Sequence, residues 1–389
     1  MEEMAYLDNA ATSYPKPETV YAAMDEFYRR HGVNPGRTGA DAAVAAGDVI
    51  EATRAELSEF FNNPARDARR LVFTSNATDS LNLCLQGFCR PGDHVVSTCL
   101  EHNSLLRPLH EMARENRISF DLAPFGQDGF VDPAAVADLI RPETRLVAMT
   151  HGSNVLGTIQ DVAAVGAICR ERGVALLVDA AQTAGCVPID MDAMAIDMLA
   201  FTGHKSLLGP VGIGGIAVGP DIDLRSTRWG GTGVRSRQLT HLEEYPYRLE
   251  AGTLNTLGIA GLRAGLAWVM AQGLEAIAAH EKALAARLCE GFSALPGLQL
   301  HCAVADGRHT PVISVTLDGM SPEEIGQRLD VDHGVIVRTG LQCAPLAHAG
   351  IGTHDLGTAR FSIGPLNEEN DIDRAVAAMG ELARTAVAR

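Results

Sequence analysis

The chain is nearly without lysine. Of 32 basic residues in 389, only Lys16, Lys205 and Lys282 are lysine, and the other 29 are arginine. Any lysine in a polar, glycine-flanked setting therefore stands out. Basic charge is short overall: 32 Lys and Arg against 48 Asp and Glu give a net charge of −16. That balance argues against non-specific binding to nucleic acid or to an anionic membrane. No run of about 18 apolar residues occurs, so no transmembrane helix is expected. The opening MEEMAYLDNAATSYP has no basic region and no apolar stretch, so no signal peptide is expected either. The eight cysteines, at 84, 89, 99, 169, 186, 289, 302 and 343, form no C-x-x-C pair and no zinc-like spacing. Reduced, mostly buried thiols in a cytoplasm are the expectation.

What is present is globular. Hydrophobic residues make up 46% and charged residues 21%, which excludes a disordered chain. A chain of 389 residues suggests two domains. The first part alternates apolar, β-branched runs with amphipathic stretches. Strands are expected at 71–74, 94–98, 119–123, 145–150, 174–179, 198–202 and 213–218. Between two of them, Asp161 to Arg172 carries Val162, Val165, Ile168 and Cys169 at helical spacing, and Gly173 ends it. Repeated strand–helix–strand units imply an α/β fold with a mostly parallel sheet covered on both faces. After about residue 258 the pattern changes. Residues 259–295 read as helical with a turn near Gly273, followed by short strands at 298–302, 312–317, 335–337 and 359–363 and a last helix from about Glu368. The expected division is a large domain over 16–258 and a smaller α+β domain from 1–15 and 259–389.

Lys205 lies in FTGHKSLLGP, just past an apolar strand, between glycines and hydroxyls. In open α/β sheets ligands sit outside the carboxyl ends of strands. A lysine there can form a Schiff base if its charge is disfavoured. Asp179 ends the preceding strand in VDAAQ. As an ordinary residue it caps a helix; beside a Schiff-base lysine it can keep the ring nitrogen of a pyridoxal phosphate protonated. Thr74 to Ser80 follows a strand and opens a helix, which makes either a plain cap or a phosphate site.

LDNAAT (7–12), NATDSLN (76–82), EHNS (101–104), SNVLGT (153–158), VDAAQ (178–182), TGHK (202–205), EAGTLNT (250–256) and RTGLQCAP (338–345) follow one another in this order. Together, from about residue 6 to 380, they resemble the class V aminotransferase family and, within it, the cysteine desulfurase and selenocysteine lyase branch. The resemblance implies a fold type I, aspartate-aminotransferase-like enzyme with a seven-stranded sheet, pyridoxal 5′-phosphate as cofactor and a homodimer. Lys205 would carry the Schiff base. Asp179 would pair with the ring nitrogen, Gln182 with the ring hydroxyl oxygen, and His102 would stack on the ring. Ala77, Thr78, Thr202 and His204 would bind phosphate, with Thr253 reaching the phosphate of the neighbouring subunit. Asn154 would face ring and substrate. Arg338 and Arg360 would bind substrate, Arg360 clamping its carboxylate.

Cys343 separates the activities implied. In a desulfurase it takes sulfur from L-cysteine and passes it to an acceptor protein, in iron–sulfur assembly or thio-modification; a lyase would act on L-selenocysteine, and a non-catalytic scaffold would need none of these residues. The glycine-rich stretch around Cys343 reads as a mobile loop. Leu341-Gln342 stands where the branch often carries histidines, Thr202 where it carries serine, and Asn103 where it carries a second histidine. Gly212, Gly214 and Gly215 begin a strand and do not make a dinucleotide loop. His348 and His354 lack the partners of a metal site, and Trp229 and Trp268 read as core or interface residues.

Overall fold

The computed structural model describes residues 4–35, 40–301 and 307–387. It begins with β1 (Ala5–Tyr6), α1 (Glu18–His31) and α2 (Asp41–Phe60). The chain then alternates β2 (Leu71–Thr74), α3 (Ala77–Phe88), β3 (Asp93–Thr98), α4 (Asn103–Arg114), β4 (Ile118–Ala123), α5 (Pro133–Leu139), β5 (Thr144–Thr150), α6 (Val162–Arg172) and β6 (Ala175–Asp179). β7 (Met198–Thr202) and β8 (Gly214–Val218) complete a seven-stranded sheet of order β2-β8-β7-β6-β5-β3-β4. β8 alone runs antiparallel to its neighbours, so the sheet is mixed but mostly parallel.

The strands are apolar throughout because both faces are covered. On β6, Leu176 and Val178 enter one core while Leu177 enters the other; on β7, Leu199 and Phe201 are split from Met198 and Ala200 in the same way. That is the two-residue period of a strand serving two cores. β4 lies at the sheet edge and is half-exposed, so its pattern is less apolar. α6 follows its sequence signals closely. The Asp161 side chain caps it by accepting the Ala164 N–H at 2.9 Å, and Gly173 ends it at φ 66°.

α7 (Thr256–Gln272) and α8 (Leu274–Ser293) meet at Gly273 with an 82° bend. Ile259, Leu262 and Leu266 of α7 belong to the main core, whereas Leu284, Leu288 and Phe292 of α8 belong to a separate one. We therefore propose to move the domain boundary from 258 to the Gly273 bend. The second core lies beneath an antiparallel sheet of β9 (Leu298–Leu300), β10 (Val312–Leu317), β12 (Arg338–Gly340) and β13 (Thr358–Ser362), in the order β12-β13-β10-β9. α9 (Pro322–His333) and α11 (Glu369–Val387) cover it, and α10 (Pro345–Gly350) follows β12. Cys302, at the end of the strand expected over 298–302, lies outside the described residues. The expected strand at 335–337 becomes β11 (Val335–Ile336), which pairs with β1 rather than joining this sheet. Trp229 is exposed, and Trp268 packs at the margin of a small cluster with Leu208 and Val269. Among the described residues no single helix is long and apolar enough to cross a membrane.

Alternation on the small sheet aims the site. Ile313 and Val315 of β10 and Ala359 and Phe361 of β13 face the core. Ser314 and Arg360, cross-strand partners between them, must face the other way, toward the large sheet. The Ser314 hydroxyl donates to the Val155 carbonyl at 2.7 Å and so seats that face on the loop after β5.

One buried ion pair ties the EAGTLNT segment to the sheet. Arg54 of α2 is 1% exposed and donates to both carboxylate oxygens of Glu250, at 2.8 and 3.1 Å, and to the Leu71 carbonyl. Glu250 also accepts the Phe73 N–H at 2.7 Å. Breaking one side of such a pair leaves a buried charge unmatched, at about 3–5 kcal/mol. Arg54→Met should lose roughly that stability in urea unfolding, and Arg54→Met with Glu250→Gln should recover part of it. A single variant as stable as the parent would show that the pair does not hold this segment.

Candidate functional site

The carboxyl ends of β2, β5, β6 and β7 open onto a cavity of about 310 Å³. It is lined by Ala77, Thr78, His102, Asn154, Asp179, Gln182, Thr202, His204 and Lys205 from the large sheet's side. Arg338, Cys343 and Arg360 line it from the small sheet's side. Of the residues singled out in the sequence, Thr253 alone is elsewhere: it is exposed and does not line this cavity within one chain.

Asp179 and Lys205 meet because β6 and β7 are parallel neighbours, with Asp179 in register with Ala200. Burial raises the Asp179 carboxyl above its ordinary value, against the pull of the Ala181 N–H and of Lys205. The Lys205 amine is pushed down to about 8, by burial first, with Asp179 acting in the opposite direction and Arg360 adding to the fall. Both are shifts toward the neutral forms, as desolvation requires.

The His102 ring is set by a helix cap. Its Nδ1 accepts the Ser104 N–H at 3.0 Å at the start of α4, so the ring proton sits on Nε2. Burial and the nearby Lys205, Arg360 and Arg107 charges hold it neutral, with a pKa of about 4. Ser104 bonds Thr78 at 2.6 Å, which joins the α4 and α3 N-termini at one corner of the cavity. The first N–H groups of α3, at Ala77 and Thr78, have no intrahelical acceptor. Thr202 Oγ1 and His204 Nδ1 are buried without a hydrogen-bond partner in the same cavity. Helix N–H groups with a stray hydroxyl and imidazole suit a phosphate.

Arg360 is 3% exposed. Its Nη2 donates to Asp8 at 2.7 Å and its Nη1 to the Asn154 carbonyl at 3.0 Å, while Nε has no partner. Burial lowers its pKa, and the Asp8 carboxylate opposes the fall. A buried guanidinium that lines a cavity and keeps unused donors is suited to a carboxylate. Arg338, opposite it on β12, is exposed at the cavity's edge.

Cys343 is exposed and lines the same cavity as Lys205 and Arg360. The stretch that reads as a mobile loop is built otherwise. It holds β12 and α10, and Ala344 and Ala347 are packed into the main core. Gln342 and Cys343 both have positive φ, 41° and 59°, an uncommon state for residues with a Cβ.

Three residues escaped the sequence reading. Asp8 lies within LDNAAT, but nothing local marks it as the counter-ion of a residue 352 positions away. Lys16 carries no assigned role in the sequence. Its ammonium donates to the His204 carbonyl at 2.9 Å and to Ser13 Oγ at 2.6 Å. Ser13 in turn bonds the Lys205 carbonyl at 2.9 Å, and its N–H donates to the His204 carbonyl at 3.0 Å. Residues 13–16 thus clamp the peptide groups on both sides of Lys205. Glu101 is fully buried and pushed up to about 8 by desolvation; it accepts from Thr98 and from the Thr150 N–H behind the Asp179 strand. A buried acid leaves a signal in sequence only as a charge among apolar neighbours, and EHNS follows a turn.

The chain matches the class-V aminotransferase family over residues 5–375. It is 32% identical to a probable cysteine desulfurase of Methanothermobacter thermautotrophicus, an alignment covering 98% of this chain and 96% of that one. It is 33% identical to a cysteine desulfurase of Pectobacterium atrosepticum, over 98% and 94% of the two chains. The apo cysteine desulfurase of Thermococcus onnurineus NA1 superposes with a TM-score of 0.92 at 31% identity, over 98% and 95%.

The electrostatics make a direct prediction. Lys205 and Lys16 are both depressed to about 8 by burial, so in folded, cofactor-free protein each amine becomes nucleophilic as pH rises through 8. Competitive acetylation followed by mass spectrometry should give midpoints near 8 for both. In urea-unfolded chain the midpoints should move to about 10.4. A folded-state midpoint for Lys205 that matches the unfolded one would remove the burial argument.

Proposed function

The chain belongs to the class-V aminotransferase family, and on that premise we propose that it is a pyridoxal-phosphate-dependent cysteine desulfurase, which moves the sulfur of L-cysteine onto Cys343 and releases L-alanine. The observation that carries this reading is the shared cavity: an exposed thiol, a desolvated lysine and a buried arginine with a free donor face the same space.

The residues fit the cofactor. Lys205 would hold it covalently, Asp179 its ring nitrogen, Gln182 its ring hydroxyl oxygen and His102 its ring face. Ala77, Thr78, Thr202 and His204 would hold its phosphate; the unpartnered Thr202 hydroxyl and His204 nitrogen support this. Thr253, exposed and apart from the cavity of its own chain, would complete the phosphate site of a second copy in a homodimer. When bound, pyridoxal phosphate supplies an electron sink for the carbanion formed at the substrate α-carbon.

The chain's own residues do the rest. Arg360 binds the substrate carboxylate through its free donor while Asp8 and Asn154 hold the other side of the guanidinium, and Arg338 adds charge at the entrance. Lys205, neutral more readily than an exposed lysine, takes the α-proton. Asp179 keeps a negative charge under the site. The Cys343 thiolate then attacks the substrate sulfur. A sulfur–sulfur bond forms as the carbon–sulfur bond breaks, the bonding pair stays with the substrate carbons, and protonation completes L-alanine. Cys343 is left as a persulfide, whose outer sulfur passes to an acceptor thiol.

Two variants separate these roles. Cys343→Ala should keep the visible absorbance of the bound cofactor and its change on adding L-cysteine, but should lose added sulfur at this position and most sulfide release. Partial survival of L-selenocysteine cleavage in that variant is expected, because selenium leaves more easily. A variant that desulfurates L-cysteine at the parent rate would overturn the reading. Arg360→Lys cannot reproduce the guanidinium geometry; L-cysteine affinity should weaken by roughly 1.5–3 kcal/mol at full cofactor content, read by spectral titration.

A further inference from the structure

Gln342 precedes Cys343, and its side chain is buried and bonded at both ends. Its Nε2 donates to the Thr358 carbonyl at 2.9 Å, which fixes the amide orientation. Its Oε1 then accepts from His348 Nε2 at 2.8 Å and from the Thr358 hydroxyl at 3.3 Å. With its proton on Nε2, His348 uses Nδ1 to accept from Thr353 Oγ1 at 2.8 Å. Burial keeps that ring neutral, so the donor role holds across the working pH range. The backbone is held as well. The Gln342 carbonyl accepts Asn154 Nδ2 at 2.7 Å, and the Cys343 carbonyl accepts the Asn103 N–H at 2.7 Å.

These bonds close on a turn that the chain would not choose by itself. Two successive residues with side chains sit in the left-handed region, a conformation that persists only where surroundings over-determine it. The bonds also run to the right places. Thr358 lies on β13 two residues before Arg360, and Asn154 supplies the carbonyl that Arg360 binds. Gln342 therefore ties the cysteine turn to the strand and loop that set the guanidinium.

We propose that Gln342 is a positioning residue for Cys343: its amide, locked between His348 and Thr358, holds the left-handed turn that presents the thiol to the cavity shared with Lys205 and Arg360. This rests on the reading that Cys343 accepts the substrate sulfur. It gives a structural meaning to the departure from histidine at this position. The amide oxygen accepts two hydrogen bonds and the amide nitrogen donates one, and the side chain adds no titrating group beside the thiol.

The test separates binding from sulfur transfer. Gln342→Met keeps length and apolar volume and removes every side-chain bond. In holoenzyme, its visible absorbance and the change on titrating L-cysteine should match the parent, with affinity within about twofold. Sulfur added to Cys343, followed by rapid quench and mass spectrometry, should form at least tenfold more slowly. His348→Phe should slow the same step, and the double variant should be no slower than Gln342→Met, because the two side chains act as one unit. Parent-rate persulfide formation in Gln342→Met would overturn the proposal. So would loss of the L-cysteine spectral change along with the sulfur step, which would make Gln342 a support of the whole pocket. Failure of the parent enzyme itself to gain sulfur on Cys343 would instead overturn the desulfurase reading, and this proposal with it.

Discussion

A guanidinium buried between two hydrophobic cores has to be matched, and the match brings together three distant parts of the chain. Asp8 comes from the segment after β1, the Asn154 carbonyl from the loop after β5, and Arg360 itself from β13. An uncompensated charge at 3% exposure would be costly, so these segments are held in a fixed relation. The relation leaves Nε of the guanidinium without a partner. The same contact therefore closes the interface between the two sheets and leaves the guanidinium lining the cavity between them.

Charge in the cavity is controlled by few groups. Burial holds His102, His204 and His348 neutral, each near 4. Imidazole protonation is thereby removed from the physiological range, where histidine would otherwise switch. Lys205 is brought toward neutrality and Asp179 is opposed by the same loss of water. Arg360, also lowered by burial, is half-matched by the Asp8 carboxylate.

Much of this was legible before any coordinates. Local signals carried the strands, the α6 cap and its terminating glycine, the Gly273 bend, and the sheet-edge placement of Asp179 and Lys205, because each depends on neighbours within a turn or two. Other features depend on partners far along the chain. Asp8 and Lys16 are unremarkable in their own segments, and Gln342 stands out only as a departure from the family pattern; each has structural meaning only against Arg360, His204 or Thr358. β11 was readable as a strand, but its pairing with β1 rather than with the small sheet was not, since two short apolar runs carry no register information. The supposed mobility around Cys343 followed from glycine content. The structure places β12, a hydrogen-bonded turn and α10 there because alanines in that stretch reach the main core.

The pairing of Asp8 with Arg360 also has a consequence in time. The two residues are 352 positions apart, so on a ribosome adding about 5–20 residues per second, Asp8 waits roughly 20 to 70 s for its counter-ion. The whole large sheet, with Lys205 at its edge, is synthesised during that interval. A nascent chain can therefore carry Lys205 on a nearly finished large sheet while Asp8 still lacks the strand that bears its counter-ion. The buried ion pair that joins the two sheets is therefore among the last contacts the chain can make, because its arginine lies on the last strand of the small sheet.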